Sequence, residues 1–406
     1  MSATAKPSNP RPVVAVVFGT RPEAIKLVPV VRELQRHDKG LQTVIVSTGQ
    51  HRTMLDQVIG PFKIAVDYDM SLMEPGQSLY QLSSKAILAF EEVLTRFRPN
   101  LLVVQGDTTT AFIGSLAAHY AKVPVAHVEA GLRTNTRFFP FPEEINRRLI
   151  SVMTELHFAP TKGNRQNLLR EGVSSDSISV TGNTAIDMLL STLELHRPPT
   201  DKLPSLDRKR LVLVTVHRRE VFGEEIRDIF HALRDLAAAV PNVLILFPTH
   251  LNPNVREPAL EILGSSSNIV LTEPLDYFDF VHAMSCAHLI LTDSGGIQEE
   301  APTLGARVLV LRNQTERPEG LETGVVQLAG TSRGAIVEHA IRALSARETG
   351  KPSNLTNPYG DGKASARIAK QILRFLKVPD RGAYDGVGEF CPDARLERIG
   401  SSRTCE

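Results

Sequence analysis

Short apolar runs alternate with helix-length segments along most of this chain, and that alternation restricts the fold more than any other feature. The runs at 13–18, 43–47, 101–105 and 123–128 are almost continuously hydrophobic, the pattern of parallel strands covered on both faces. Helix-length stretches at 22–36 and 78–97 separate them. The pattern restarts at 211–216 and continues through 243–247, 268–271, 289–292 and 307–311. Two consecutive βαβ series of similar size predict an α/β chain of two doubly wound, Rossmann-like domains. The 406 residues suffice for each to bury its own core. The reading assigns 1–182 to an N-terminal domain and 183–362 to a C-terminal one, with a hinge near 181–184. A last helix covers about 364–376, and 380–406 reads as an irregular tail.

Two strand-to-helix turns carry chemistry. The run 289–292 enters Thr-Asp-Ser294-Gly295-Gly296 and then a helix bearing Glu300. Unpaired N–H groups and a positive helix end would face outward there, where an anion such as diphosphate docks. Near the N-terminus, Phe18-Gly19-Thr20-Arg21-Pro22-Glu23-Ala24-Ile25-Lys26 adds two cations to a glycine turn, with proline suited to the first helical position. One such site in each half suggests a nucleotide sugar held in a cleft between two α/β domains.

Composition excludes several alternatives. A net charge of +1 points to neither a nucleic-acid surface nor an acidic tail. No apolar run reaches membrane-spanning length, and MSATAKPSNPRP lacks the apolar core of a signal peptide. Cys286, Cys391 and Cys405 show no metal-ligand spacing. The chain reads as cytoplasmic, with no membrane or nucleic-acid partner and no metal.

In sheets of this kind ligands bind beyond the carboxyl ends of the strands. Those ends carry Asp107 after 101–105, Glu129 after 123–128, and His217-Arg218-Arg219-Glu220 after 211–216. The segment Phe141-Pro142-Glu143-Glu144-Ile145-Asn146-Arg147-Arg148 opens a further helix. Each has a plainer reading alone. Asp107 is placed to cap a helix, Glu143 and Arg147 to form an i,i+4 ion pair, and His217 to be a satisfied turn histidine. Together, three carboxylates, a histidine and several arginines beside two anion sites form an acid/base constellation for a phosphorylated substrate.

The motifs GTRPEAIKLVP, TGQHRTMLDQV, QGDTTT, HVEAGLRT, PEEINRR, TGNTAID, VHRRE, THLNPNVREP, LTDSGGIQEEAP, TERPEG and NPYGDG occur in this order between about residues 12 and 378. Jointly they resemble the non-hydrolysing bacterial UDP-N-acetylglucosamine 2-epimerases. The resemblance implies the two-domain fold shared with GT-B glycosyltransferases, an active site in the interdomain cleft, and a final helix (363–379) returning to the first domain. It also implies a homodimer that interconverts UDP-N-acetylglucosamine and UDP-N-acetylmannosamine for surface polysaccharides.

The C2 proton of such a sugar is not next to a carbonyl, so direct abstraction faces a prohibitive barrier. Oxidation of a neighbouring carbon by NAD is disfavoured here, because no complete G-x-G-x-x-G turn with a following ribose-binding acid occurs. No cofactor is implied. The remaining route couples proton loss at C2 to departure of UDP, and needs carboxyl groups for both faces plus cations or helix dipoles for the diphosphate.

By this resemblance Asp107, Glu129 and Glu143 match essential carboxylates, and Arg147 and His217 essential basic residues. His217 is expected near the diphosphate, with Arg147 aligning a carboxylate. Arg21 and Lys26 match nucleotide-sugar contacts, as do Ser294, Gly295, Gly296, Glu300 and Arg317, while Leu275 and Phe280 lie where the family holds uracil. For Phe280 a core role is an equal reading from sequence. Gln50, Gln77 and His250 are candidates for a second UDP-N-acetylglucosamine acting as activator. Departures from the family pattern are Val221 after HRRE, the bulky 134–141 loop, and the tail after Pro379. Alternatives are an epimerase of a modified sugar such as a UDP-2,3-diacetamido-uronic acid, a hydrolysing epimerase, and a GT-B glycosyltransferase.

Overall fold

The structure is a computed structural model that describes residues 11–49, 52–74, 76–138, 140–195, 203–206, 209–322, 324–345 and 357–392. The chain divides into two compact units. One runs to Met188 and resumes over Gly362–Phe390; the other spans Leu189–Asp361.

The first unit contains strands β1 (Val13–Phe18), β2 (Gln42–Ser47), β3 (Tyr68–Asp69), β4 (Leu101–Gln105), β5 (Val125–Val128), β6 (Leu156–Ala159) and β7 (Ile178–Val180). Its helices are α1 (Arg21–Gln35), α2 (Arg52–Ile59), α3 (Leu79–Phe97), α4 (Thr109–Tyr120), α5 (Glu143–Val152), α6 (Lys162–Arg170) and the start of α7 (Thr184–Glu194). The strands form one sheet in the order β3-β2-β1-β4-β5-β6-β7, and every pair is parallel. The order reverses between β1 and β4, so the turns after those two strands diverge and leave a crevice. Arg21 and Lys26 follow β1, Asp107 follows β4 and Glu129 follows β5.

The second unit repeats the plan with β8 (Arg210–Thr215), β9 (Val243–Pro248), β10 (Ile269–Thr272), β11 (Leu289–Thr292), β12 (Arg307–Val310) and β13 (Val326–Leu328). Its helices are α8 (Glu224–Ala239), α9 (Pro253–Leu263), α10 (Tyr277–Cys286), α11 (Gly295–Glu300), α12 (Pro318–Glu322) and α13 (Arg333–Ser345). The sheet order is β10-β9-β8-β11-β12-β13, again parallel. Its crossover lies between β8 and β11, whose ends carry His217 and Ser294. Phe230 and Phe247, both fully buried, pack at a ring separation of 5.5 Å in its core. Each contributes roughly 1.5–3 kcal/mol relative to exposure. The nine apolar runs all form strands; β3, β6, β7 and β13 are further short strands of two to four residues.

The last helix, α14 (Ala364–Phe375), packs on α1 within the first unit. A long-range cap fixes its start. Asp187, from the TGNTAID motif, accepts the backbone N–H of Ser365 at 2.7 Å and of Ala364 at 3.2 Å. A carboxylate there satisfies two orphan donors and complements the helix dipole. Arg367 then donates to the carbonyls of Thr181 and Gly388, and Phe390 N–H donates to Val180. Residues 380–390, the first part of the expected irregular tail 380–406, are thereby tied to the unit with Tyr384 and Phe390 buried. No helix among the described residues is long and apolar enough to cross a membrane.

Candidate active site

The turn after β1 is built by a capping box. Thr20 Oγ1 accepts the N–H of Glu23, and the Glu23 carboxylate accepts the N–H groups of Gly19 and Thr20 at 3.0 and 2.7 Å. The second Glu23 oxygen accepts the Thr108 hydroxyl at 2.7 Å. This buried carboxylate therefore links the turn after β1 to the turn after β4. Burial pushes its pKa up against these hydrogen bonds. Glu23 went unremarked in the sequence, although the Thr-x-x-Glu spacing announces it.

Asp107 does not cap a helix; Thr108 does, accepting the N–H of Ala111. Asp107 is left to face Arg147, whose Nε and Nη2 approach its Oδ2 at 2.8 and 2.7 Å. The partner of Arg147 on its own helix is Glu144 at 3.0 Å, not Glu143. Glu144 also meets Arg148 at 3.4 Å and accepts the N–H and hydroxyl of Thr134. Burial opposes its ionisation, but the Thr134 and Arg147 donors outweigh that and hold its pKa down. For Asp107 the balance falls the other way. Burial, helped by the nearby Glu129 charge, raises it despite Arg147.

Glu129 receives Lys26 Nζ at 2.5 Å and the side-chain amide of Gln105. Its backbone is left-handed at φ 66°, a conformation a non-glycine residue holds only when its surroundings enforce it. Two residues on, Gly131 is required, because a Cβ there would strike the Asn164 carbonyl. His127 Nε2 lies 2.7 Å from the Gly106 carbonyl. Burial depresses this histidine to about 3, so the ring is neutral and donates, bracing the turn that carries Asp107. Arg21 is half-buried and forms no ion pair among the described residues. Glu143 is half-buried as well, and its Oε2 is shielded with no hydrogen-bond partner among the described residues. Thus Asp107, Glu129, Arg147 and Lys26 are directly paired, whereas Glu143 joins no such pair.

In the second unit His217 follows β8 and its ring stacks on His250 at 6.1 Å and 25°. Burial and the His217 charge lower His250. Ser294 opens α11, with its N–H on Thr292 Oγ1 at 2.9 Å. Gly295 leaves room for the Arg317 guanidinium, which a Cβ there would displace. Arg317 is held by Glu299 and Glu316, both at 2.7 Å. Its loop is pinned by Tyr359, whose hydroxyl accepts Gly320 N–H at 2.7 Å and donates to the Arg317 carbonyl at 3.0 Å. Asn357 donates to the Glu299 carbonyl and to Thr303. The NPYGDG motif thus acts as a brace. Leu275 is buried just before α10, and Phe280 is half-buried in its first turn. Gly296 and Glu300 are half-buried on α11. Gln50 lies outside the described residues.

Glu316 anchors three arginines: Arg218 at 3.0 Å, Arg312 at 2.8 Å and Arg317 at 2.7 Å. Burial opposes its charge, yet these cations depress it to about 2. A depressed carboxylate contributes stability that is full above its unfolded pKa of about 4.5 and is lost as pH falls towards about 2. Glu316→Gln should therefore lower stability at neutral pH by up to about 3 kcal/mol. That deficit should shrink between pH 4.5 and 2, as read by urea unfolding of both proteins across this range. A gap independent of pH would exclude the ion web as its source.

Comparison with known proteins places the chain in a family. Residues 32–373 match the family described as UDP-N-acetylglucosamine 2-epimerase. The chain is 51% identical over 374 residues to a probable UDP-N-acetylglucosamine 2-epimerase of Ralstonia solanacearum, covering 89% of this chain and 99% of that one. Among solved structures, the UDP-GlcNAc 2-epimerase of Neisseria meningitidis bound to UDP-GlcNAc is similar with a TM-score of 0.82 and 46% identity, over 89% of this chain and 100% of the other. S. aureus MnaA with UDP gives 0.82 and 44%, over 91% and 98%. Two parallel α/β units, carboxylates at the strand ends of one, a histidine and a Ser-Gly-Gly turn in the other, and this likeness across nearly the whole length lead to one assignment: the chain belongs to the UDP-N-acetylglucosamine 2-epimerase family.

Proposed function

We propose that this chain reversibly epimerises UDP-N-acetylglucosamine to UDP-N-acetylmannosamine by elimination and re-addition of UDP. A carboxylate removes the C2 proton while the C1–O bond to UDP breaks, giving 2-acetamidoglucal. A carboxylic acid then returns a proton to the opposite face of C2 as a UDP oxygen re-forms the bond to C1. The acid/base work falls to Asp107, Glu129 and Glu143 in the first unit, with Arg21 and Lys26 contacting the nucleotide sugar. His217, Ser294, Gly295, Gly296, Glu300 and Arg317 in the second unit hold the UDP moiety, with Leu275 and Phe280 at the uracil.

The observation that carries this reading is the pairing of Asp107 with Arg147 beside the Glu129–Lys26 pair. A carboxyl group raised towards neutrality next to a fixed cation can both take and return a proton. A glycosyltransferase needs no C2 proton exchange and no such set.

Incubation with UDP-N-acetylglucosamine in D₂O, without NAD or metal and followed by NMR, tests this. Deuterium at C2 together with UDP-N-acetylmannosamine is expected. Free N-acetylmannosamine with UDP would point instead to a hydrolysing enzyme. Absence of exchange would leave a modified sugar or a glycosyltransferase.

Two finer readings belong with it. The first is a homodimer, supported by large apolar side chains exposed on three helices packed in succession: Leu79, Tyr80 and Leu88 on α3, Tyr120 on α4, Leu149 and Val152 on α5. Sedimentation at the mass of two chains is the check. The second is activation by another UDP-N-acetylglucosamine. Gln77 supports it, because its shielded amide has no hydrogen-bond partner among the described residues; His250 is the other described candidate.

A further inference from the structure

β8 and β11 are neighbours at the crossover of the second sheet, and the residue directly after β11 is Asp293. It is wholly buried, which for a carboxylate demands compensating donors. Its Oδ2 accepts the backbone N–H groups of His217 and Arg218, both at 2.7 Å. Its Oδ1 is shielded and has no aligned hydrogen-bond donor among the described residues, but the His217 ring approaches it, with Nδ1 at 3.1 Å. Two lone pairs at that separation would repel, so the nitrogen facing Oδ1 must carry the proton. Burial opposes its charge, but the His217 ring and then the two backbone donors outweigh that and hold its pKa down. His250 covers one face of the His217 ring, and its own Nδ1 is occupied by the N–H of Asn252.

We propose that Asp293 is the positioning residue for His217: it fixes the turn through one oxygen, locks the Nδ1–H tautomer through the other, and leaves Nε2 as the nitrogen offered to the substrate. This deepens the reading in which His217 works on the departing UDP, and rests on it for the kinetic consequence only. A residue that merely anchored the turn would need Oδ2 alone. The second oxygen has no structural task unless the ring is to be held in one tautomer, as in other buried carboxylate–histidine pairs.

The test uses the full chain labelled with ¹⁵N-histidine, at alkaline pH where imidazole is neutral. The His217 signals are identified by their loss in His217→Gln. Two-bond ¹H–¹⁵N correlations should show the Nδ1–H form in the wild type. In Asp293→Asn the amide oxygen is retained by the two backbone N–H groups and the NH₂ faces the ring, so the tautomer should switch to Nε2–H. Turnover of UDP-N-acetylglucosamine should fall about 10²–10⁴-fold with KM within about threefold.

An Nε2–H ring in the wild type overturns the proposal without any variant, so poor folding of Asp293→Asn cannot shelter it. Unchanged turnover in a folded Asp293→Asn overturns it too. Failure of the epimerase reading would appear separately, as absence of turnover in the wild type with the tautomer as expected.

Discussion

Asp107→Asn should abolish turnover while leaving UDP binding within about tenfold, a change below about 1.4 kcal/mol. The substitution preserves shape but removes the ability to take and return a proton. General acid/base groups typically supply about 10²–10⁴-fold in rate, and in the mechanism proposed here Asp107 is one of the three carboxyl groups that share the proton transfers at C2. Arg147 would still find an amide oxygen on the substituted side chain and its second partner, Glu144, so the local scaffold should persist. The check is twofold: C2 deuterium exchange for chemistry, calorimetric titration with UDP for binding. Near-wild-type exchange would remove Asp107 from the mechanism. Loss of UDP binding beyond about a hundredfold, or ~2.7 kcal/mol, would mean the residue supports the nucleotide site instead.

Arg147→Met should cost both activity and stability. Arg147 is 7% exposed and stands between Asp107 and Glu144. Its removal leaves two carboxylates facing a methionine, one of them almost wholly buried. Breaking a buried pair by deleting one partner costs about 3–5 kcal/mol, because the remaining charge is uncompensated. Asp107 should then hold its proton more tightly, since the main force opposing burial is gone. Turnover should fall with it. Arg147→Lys should recover part of the stability but little of the activity, because a lysine cannot present the guanidinium fork that serves both carboxylates. Urea unfolding beside turnover separates these effects. An inactive Arg147→Met within about 1 kcal/mol of the wild type would show that the ion web orients the site without supporting the fold.

Much of this fold is legible in the sequence, for physical reasons. Parallel strands buried on both faces must be apolar throughout, so the runs at 13–18 or 289–292 declare themselves. Helix starts are chemically marked, and α1 begins where Thr20, Pro22 and Glu23 say it should. Ligands in such sheets bind at strand ends, so Asp107, Glu129 and His217 stand out as candidates by position as much as by motif. The full motif set was enough to point to the family.

Other features were closed to the sequence. Glu143 and Glu144 are adjacent in the chain, yet a single helical step is about 100° of rotation, and only packing decided that Glu144 meets Arg147. Asp187 and Ser365 are 178 residues apart, so the cap that brings α14 to the first unit had no local signal. Asp293 read as one letter of a glycine-rich turn until β8 was seen beside β11. The sequence by itself determined the elements, their alternation and the residue types at the strand ends, because these obey short-range rules of propensity, capping and patterning. The tertiary structure alone decided which charge faces which, because that depends on strand order and helix rotation, and both are set by burial of the whole chain.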